Sequence, residues 1–223
     1  PPPAFTANPL RWLQLVSEYR ASFCGAPDFA FQLCVDRIDD EKKALLDLSC
    51  VSRAYCGGEI IQPETITNFC HAFSSCGFPA TAFWPGYGLA EATCVVSAGQ
   101  GESEPHITWF GQRKLEEGTV VPAQAGPHAT RLVGNGKPCQ TVRIVNPRTK
   151  RECLPNQIGE VWVSGPSVAL GYWRDLGATK KAFNARIVGE PGNAYLRTGD
   201  LGFLYNGQLY LTGRIKELII IRG

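Results

Sequence analysis

The stretch LRTGDLGFLYNGQLYLTGRIKELIIIRG, residues 196–223, carries the strongest local fold signal in the chain. It predicts a strand, a tight turn and a second strand, followed by a polar kink that leads into an apolar strand at residues 219–221. Asn206 and Gly207 lie between the two aromatic-rich runs. An Asn-Gly pair is a strong hairpin signal because both central turn positions require a positive φ. We therefore expect residues 196–214 to form a β-hairpin.

This hairpin places a carboxylate beside a guanidinium. Asp200 lies on the first predicted strand, and Arg214 lies at the end of the second. A carboxylate can accept hydrogen bonds from two vicinal hydroxyls, and arginine donates in a planar fork, so the pair suits the ribose of a nucleoside. The pair can equally be a surface ion pair worth less than about 1 kcal/mol. These residues alone leave both interpretations open.

The composition is that of an ordinary globular protein. The chain has 223 residues, 44% of them hydrophobic and 19% charged, which allows one large domain or two small ones. Its formal net charge is +2 and it has no basic stripe, so we expect no nucleic-acid partner. No apolar run reaches the roughly 18 residues of a membrane span, and we expect none.

The cysteines indicate a reducing compartment. There are nine, an odd number, and no Cys-x-x-Cys pair occurs, which argues against a disulfide framework and against a zinc ribbon. Most lie among apolar residues, as small reduced hydrophobic side chains do. We therefore expect a cytoplasmic location. The chain also has no methionine and stops at a predicted strand end, so we expect it to be a fragment.

Residues 1 to about 100 alternate helix-like and strand-like segments. Proline precedes or begins three predicted helices, at Pro9, Pro27 and Pro63. A further short helix is expected from Leu89 to about Val96. Short apolar runs predict strands at residues 22–24, 51–56 and 80–84. Strand, helix and strand at this spacing favour parallel pairing, with the helices packed on the sheet.

Beyond residue 100 the pattern changes. Residues 100–130 are polar, contain several glycines and prolines and are weakly periodic, so they predict a long excursion from the core. From Arg131, several short strands with turn signals predict a small barrel or curled sheet. The expected fold class is therefore α/β. It comprises part of a mixed or parallel sheet with flanking helices, followed by a β-rich distorted barrel subdomain.

One candidate binding loop is Gly57-Gly58-Glu59, which follows a predicted strand and precedes a helix. Loops at the carboxyl ends of strands in open α/β sheets are where ligands bind. Paired glycines let a planar ring approach the backbone closely. The alternative is a tight turn between strand and helix with no ligand.

A second candidate loop is Tyr87-Gly88-Leu89-Ala90-Glu91, which also follows a predicted strand. Tyr87 can stack on an aromatic base. Glu91 can bind Mg²⁺ as one of few carboxylates, since waters and phosphates complete the octahedron. The alternative makes Tyr87 a packing residue and Glu91 a partner of a helix dipole.

Taken in order, five segments resemble the adenylate-forming superfamily of acyl-CoA ligases, luciferases and peptide-synthetase adenylation domains. The resemblance covers essentially the whole chain. The segments are CGGEI (56–60), FWPGYGLAEAT (83–93), GEVWVSGPSVALGYW (159–173), RTGDLGFL (197–204) and GRIKELIIIRG (213–223). Two features are similar to those of the fatty acyl-AMP ligases. One is the alanine of YGLAEAT, and the other is the segment 101–130, which resembles the extra insertion of that family. In that family the extra insertion limits movement of the C-terminal domain and disfavours the coenzyme A reaction.

The resemblance implies roles for individual residues. On the nucleotide side, these are Gly57, Gly58 and Glu59 in the adenine-side loop, Tyr87 with Gly88 against adenine, Asp200 on both ribose hydroxyls and Arg214 in the same site. For catalysis, they are Glu91 approaching Mg²⁺ and Lys216 at the hinge. On the acyl side, they are Trp84 and Gly86 at the pocket border. Ala90 departs from the superfamily's hydroxyl residue, so a side-chain hydrogen bond to phosphate or acyl carboxylate is lost.

The implied reaction uses ATP and Mg²⁺ to convert a fatty acid to acyl-AMP and pyrophosphate. The acyl group would then pass to an acyl carrier protein or to a polyketide or peptide synthase module. The family's phosphate loop is expected before residue 1, and its C-terminal domain with the catalytic lysine after Gly223. Accordingly we expect an α/β portion with adenine-binding loops (1–100), the insertion (101–130) and a β-barrel-like portion (131–223) ending at the hinge. Two alternatives are a non-catalytic acyl-adenylate-binding or regulatory domain of a multidomain protein, and a fatty acyl-CoA ligase.

Overall fold

The computed structural model describes residues 2–99, 103–190 and 192–217. Helices and parallel strands alternate early in the chain, and antiparallel strands dominate later. The helices are α1 (Pro2–Ala7), α2 (Leu10–Glu18), α3 (Asp28–Arg37), α4 (Asp40–Lys43), α5 (Pro63–Ala72), α6 (Gln112–Glu116) and α7 (Leu176–Ala182). The strands are β1 (Phe23–Ala26), β2 (Arg53–Cys56), β3 (Phe83–Tyr87), β4 (Ser97–Ala98), β5 (Ile107–Gly111), β6 (Ala129–Val133), β7 (Lys137–Pro138), β8 (Thr141–Val145), β9 (Gly159–Ser164), β10 (Leu196–Tyr205) and β11 (Gln208–Arg214).

The chain divides into two compact units. The first consists of Pro1–Gly86 and Gly99–His106, and the second of Tyr87–Ala98 and Ile107–Gly223. The predicted three-part division at residues 100 and 130 follows sequence segments rather than compactness, and it stays a prediction.

The first unit is built on parallel strands, as the alternation of segments predicted. Strand β2 pairs in parallel with both β1 and β3, and Ala54 lies opposite Cys24 on one side and Phe83 on the other. Helices α3 and α5 contribute Phe31 and Phe69, whose ring centroids lie 4.9 Å apart at 89°. Phe31 also lies 4.8 Å from the ring of Phe83 on β3. This aromatic core packs α3 against the sheet and against α5.

A buried carboxylate joins α3 to α5. Asp28 in the first turn of α3 is only 7% exposed. Its Oδ1 accepts from the backbone N–H of Gln62 at 3.0 Å, and its Oδ2 accepts from the Thr65 hydroxyl at 3.0 Å. Burial raises the pKa of Asp28 above its usual value, and these two hydrogen bonds oppose that shift. The carboxylate therefore satisfies the start of α5 from a neighbouring helix.

Replacing Asp28 by alanine is expected to lower the free energy of unfolding by about 2 kcal/mol, because two buried donors lose their acceptor. Urea denaturation of the chain measures this. The control is Asp36→Ala on the same helix, where an exposed carboxylate accepts from Gln32 at 2.7 Å. That change is expected to stay within about 0.5 kcal/mol. Equal effects of the two substitutions would contradict the assignment of Asp28 as the joint between the helices.

Two early elements differ from the sequence prediction. The strand expected at residues 80–84 is wrong in position, since Ala80–Ala82 forms a 3-10 turn after Pro79 and the strand runs from Phe83 to Tyr87. Proline at residue 79 fixes a backbone angle that suits the start of a turn. Helix α1 was not predicted from the sequence.

The second unit contains a four-stranded antiparallel sheet in the order β11-β10-β9-β8. The predicted hairpin is confirmed, with β10 and β11 joined by Asn206 and Gly207 at φ values of 49° and 75°. Residues 135 and 136 lie beside the outer edge of β11, where Leu209 donates to the Gly136 carbonyl at 3.0 Å and accepts from the Asn135 N–H at 2.8 Å. The expected β-rich subdomain is therefore present.

The segment expected as a polar excursion contains strands β5 and β6, which pair antiparallel. Phe110 of β5 is fully buried, and its ring lies 5.1 Å from Phe203 and 5.4 Å from Tyr210. The Thr108 and Tyr210 hydroxyls are hydrogen-bonded at 3.0 Å. This segment therefore packs on the β10–β11 hairpin through one aromatic face.

The cysteines are all free thiols. Burial raises the pKa of Cys24 to about 11 and that of Cys34 to about 12, so both stay protonated at neutral pH. The cytoplasmic location stays a prediction. Among the residues that the structure describes, no helix combines the length and apolarity needed to cross a bilayer.

Candidate functional site

The centre of the site is a bulge in strand β10 at residues 198–200. Arg197 pairs with Trp162 and Leu201 pairs with Glu160, so β10 advances four residues while β9 advances two. Such extra residues bend a strand and re-aim its side chains. The TGD sequence thus lies where the ladder to β9 is interrupted.

The bulge is closed by its own threonine. The Thr198 hydroxyl donates to the Val161 carbonyl at 2.7 Å, and the same oxygen accepts from the Asp200 N–H at 3.1 Å. The Thr198 hydroxyl is therefore hydrogen-bonded to two backbone groups, one of which is the N–H of Asp200 itself.

A buried glutamate on the neighbouring strand β9 stabilises the bulge. Glu160 is 2% exposed and accepts from Arg197 at 2.8 and 3.0 Å, from the Trp162 indole at 2.9 Å and from the Gly199 N–H at 3.1 Å. These donors compensate for burial of the charge. The sequence alone did not predict roles for Glu160, Arg197 and Thr198. The available signal was a lone glutamate in the apolar run GEVWV, with an arginine on another predicted strand.

The structure brings Asp200, Arg214 and Tyr87 together. Asp200 lies opposite Arg214 in the hairpin, and Arg214 Nε donates to Asp200 Oδ1 at 2.8 Å. Tyr87 Oη donates to Asp200 Oδ2 at 2.6 Å. The Asp200 side chain is 14% exposed and that of Arg214 is 56% exposed. Each carboxylate oxygen is thereby oriented by a different donor.

Tyr87 is a buried anchor for this carboxylate. It is 6% exposed, and burial together with the adjacent Asp200 charge raises its pKa well above the usual range. The phenol therefore stays protonated and donates at neutral pH. A carboxylate offers about four acceptor positions, so accepting from Tyr87 and Arg214 is compatible with accepting from ribose hydroxyls too. Stacking of Tyr87 on adenine and ribose binding by Asp200 stay predictions.

The segment that carries Glu91 is not the helix expected from Leu89 to Val96. Only Ala90–Ala92 forms a 3-10 turn, after which Thr93 and Cys94 adopt left-handed conformations with φ of 55° and 70°. The prediction of a helix here is wrong. Glu91 consequently has no helix dipole to complement.

The reason is a competing set of hydrogen bonds from a distant loop. The Ala169 N–H donates to the Glu91 carbonyl at 2.8 Å, and the Thr93 hydroxyl donates to the Ser167 carbonyl at 2.6 Å. A carbonyl that accepts from outside the segment no longer serves an i→i+4 ladder. The turn is thus tethered to residues 167–169.

Gly88 and Ala90 flank this turn differently. A Cβ on Gly88 would overlap the Cys94 carbonyl oxygen, so the close approach of the two backbones requires glycine. Ala90 is exposed and opens the 3-10 turn. Its methyl group supplies no hydrogen bond, as the sequence implied.

Glu91 is the predicted metal ligand, and the chemistry of its donor set fits Mg²⁺. Tyr172 Oη donates to Glu91 Oε1 at 2.6 Å. That hydrogen bond raises the pKa of Tyr172 to about 12, so the phenol remains a donor at neutral pH. Within the described ranges, no group of three or more His, Cys, Asp or Glu side chains could hold a metal ion. A single carboxylate matches the way Mg²⁺ binds with nucleotide phosphates.

The glycines of the first candidate loop lie in the first unit. A Cβ on Gly57 would come within 2.5 Å of the Tyr55 hydroxyl and 2.6 Å of the Gly86 carbonyl oxygen. Gly58 has φ of 88°, which disfavours any side chain. Both positions therefore require glycine for local reasons, and the adenine-side role stays a prediction.

Glu59 has a structural partner that the sequence did not reveal. Its Oε1 accepts from the Phe29 N–H at 2.9 Å, in the first turn of α3. A carboxylate there satisfies an unpaired helix donor and complements the helix dipole.

The remaining predicted residues are distributed along the chain. Trp84 is half-buried and donates its indole N–H to the Gly99 carbonyl, and its ring lies 6.1 Å from that of Tyr55. Gly86 is buried in β3. Lys216 is exposed in the 3-10 turn Ile215–Glu217. The apolar strand predicted at 219–221 lies outside the described residues.

Known proteins are similar to this chain over its whole length. A 43% identical relative over 227 residues is the medium-chain-fatty-acid–[acyl-carrier-protein] ligase JamA of Moorena producens (strain JHB). A 42% identical relative over 228 residues is the 4-hydroxyphenylalkanoate adenylyltransferase of Mycobacterium tuberculosis (strain ATCC 25618 / H37Rv). Both alignments cover 100% of this chain, and 38% and 37% of the relatives.

Solved structures show the same fold. The fatty acyl-adenylate ligase from L. pneumophila, in complex with acyl adenylate and pyrophosphate, is 44% identical with a TM-score of 0.92. That match covers 97% of this chain and 38% of the Legionella chain, so this chain spans well under half the length of these relatives. The family model described as AMP-binding enzyme matches residues 1–173. The chain therefore belongs to the AMP-binding enzyme family.

Proposed function

We propose that the protein containing this chain activates a fatty acid with ATP, forming acyl-AMP and pyrophosphate. The carrying observation is the Asp200 carboxylate, fixed by Tyr87 Oη at 2.6 Å and Arg214 Nε at 2.8 Å on a bulge that Glu160 and Thr198 hold in place. Relatives named as fatty-acid ligases, and a structure solved with acyl adenylate, support the assignment.

In the proposed reaction an oxygen of the fatty carboxylate attacks the α-phosphorus of ATP. A new P–O bond forms, the bond from the α-phosphorus to the bridging oxygen breaks, and pyrophosphate leaves with the electron pair. Asp200 accepts from the two ribose hydroxyls and fixes the nucleoside end. Glu91 would hold Mg²⁺, which would supply neutralisation of the phosphate charge. Catalysis then consists mainly of positioning and charge stabilisation, which hold the reacting atoms in line.

The proposed acceptor of the acyl group is the phosphopantetheine thiol of a carrier protein. The name of the Moorena relative and the adenylation domain of a keto acid-selecting peptide-synthetase module support that choice. The thiolate attacks the acyl carbonyl, a thioester forms and AMP leaves. Turnover is proposed to need the rest of the protein, since the chain matches 38% of the Moorena ligase.

A product assay on the full-length protein tests this function. Fatty acids of several lengths and a 4-hydroxyphenylalkanoate are each offered with ATP, and acyl-AMP, acyl-CoA and carrier thioester are separated by mass spectrometry. We expect acyl-AMP and carrier thioester, with little acyl-CoA. Dominant acyl-CoA would establish a coenzyme A ligase instead.

Absence of acyl-AMP from every acid would overturn the catalytic proposal. A thermal-shift scan with a non-hydrolysable acyl-adenylate mimic then identifies a non-catalytic binding domain, because a ligand that binds only the folded state raises Tm.

A further inference from the structure

The carboxylate of Glu91 is held by a loop far away in sequence. The backbone carbonyl of Glu91 accepts from the Ala169 N–H at 2.8 Å, and its side-chain carboxylate accepts from the Tyr172 hydroxyl at 2.6 Å. Two residues later, the Thr93 hydroxyl donates to the Ser167 carbonyl at 2.6 Å. The loop therefore fixes both the backbone and the side chain of Glu91. A side-chain contact of this kind selects one rotamer of a flexible glutamate.

Tyr172 is itself fixed on three sides. Its N–H donates to the Thr179 hydroxyl at 2.9 Å, and its ring packs edge-on at 5.1 Å against Phe183, which is 6% exposed. The preceding Gly171 has φ of 150°, and a Cβ there would lie 2.7 Å from the Thr179 hydroxyl. Glycine is therefore required for Thr179 to reach the Tyr172 backbone. The backbone hydrogen bond to Thr179 of α7 and the ring contact with Phe183 together orient the Tyr172 phenol.

We propose that Tyr172 is a positioning residue that orients the Glu91 carboxylate for Mg²⁺ of the bound nucleotide. This rests on the proposed function. The phenol is a neutral donor, so it orders the carboxylate without cancelling the charge that a cation needs. Ligating carboxylates are commonly hydrogen-bonded by such outer partners, and losing one typically weakens metal binding 10- to 100-fold.

The test uses Tyr172→Phe in the full-length protein, a change that deletes one oxygen and keeps the ring on Phe183. Mn²⁺ binding is measured by electron paramagnetic resonance in the presence of a non-hydrolysable ATP analogue, so the readout does not depend on turnover. We expect Mn²⁺ affinity to fall about 10-fold. The free Mg²⁺ concentration giving half-maximal pyrophosphate release is expected to rise by the same factor.

The matched control is Trp173→Ala in the same loop. Trp173 is 87% exposed, and its ring contacts the Arg174 guanidinium at 5.5 Å. Its substitution is expected to leave Mn²⁺ affinity and Mg²⁺ dependence unchanged. An equal loss in both variants would mean general loosening of the loop and would overturn the proposal.

Glu91→Gln provides the second arm. If Tyr172 acts through Glu91, Tyr172→Phe causes no further loss of Mn²⁺ affinity in that background, whereas full additivity overturns the assignment. Mn²⁺ affinity of Tyr172→Phe within two-fold of the unsubstituted protein also overturns it. An unsubstituted protein that binds Mn²⁺ and shows the expected shift, yet makes no acyl-AMP, supports the positioning role and refutes the proposed reaction separately.

Discussion

Replacing Asp200 by alanine in the full-length protein is expected to lower kcat/KM for ATP by roughly 100-fold or more. Two hydrogen bonds to ribose hydroxyls would be lost, and hydrogen bonds to a charged group contribute about 1.5 kcal/mol or more each. The buried Tyr87 hydroxyl also loses its acceptor, which lowers stability. Pyrophosphate release at varied ATP concentration measures the first effect, and thermal unfolding measures the second.

The control for this experiment is Glu152→Ala, which breaks the Arg143–Glu152 pair at 3.5 Å in the same unit, where the two side chains are 40% and 51% exposed. Exposed pairs contribute little, so activity and stability are expected to stay close to those of the unsubstituted protein. If Asp200→Ala releases pyrophosphate at a near-normal rate while remaining folded, the ribose assignment is wrong.

The second large effect is expected at Glu160. Glu160→Ala leaves the Arg197 guanidinium, the Trp162 indole and the Gly199 N–H without their acceptor. Removing one partner of a buried ion pair typically costs 3–5 kcal/mol; because the Arg197 side chain is 26% exposed, we expect about 3 kcal/mol here. Urea denaturation followed by circular dichroism measures the loss, which should move the midpoint with little change in slope.

Here too Glu152→Ala is the appropriate comparison, since it removes a glutamate from an Arg–Glu pair whose side chains are 40% and 51% exposed. We expect the two substitutions to differ by at least 2 kcal/mol, as buried and exposed pairs do. Similar losses would show that burial of Glu160 has no special energetic role. Glu160→Gln separates charge from shape, because it keeps one acceptor oxygen for the indole.

The parts of the fold that sequence predicts well are those set by neighbouring residues. The hairpin was predictable because asparagine and glycine are the residue types that tolerate a positive φ, which Asn206 and Gly207 both adopt. The approach of Asp200 to Arg214 follows only in part from the hairpin, because a register shift between Leu201 and Gly202 moves the pairing by one residue from that set at the turn. Pro63 begins α5 as expected, since a first-turn residue needs no N–H partner.

The parts that sequence could not predict depend on distant partners. The helix expected after Leu89 is replaced by a turn whose Glu91 carbonyl accepts from Ala169 and whose Thr93 hydroxyl donates to Ser167, both more than seventy residues later. Periodicity reports on local faces and contains no information about such competition. The contact between Tyr172 and Glu91 spans 81 residues and was invisible for the same reason.

The bulge at residues 198–200 also bears on how this segment can vary. Strand β10 pairs with β9 on both flanks of the bulge, at Arg197 and at Leu201, and its ladder to β11 has a register shift of its own between Leu201 and Gly202. A substitution within the bulge keeps the number of residues between these pairs unchanged. Insertion or deletion of one residue is a different kind of change, because it would exchange the faces of all side chains from Leu201 to Tyr205. The number of residues in this segment is therefore constrained in addition to their types.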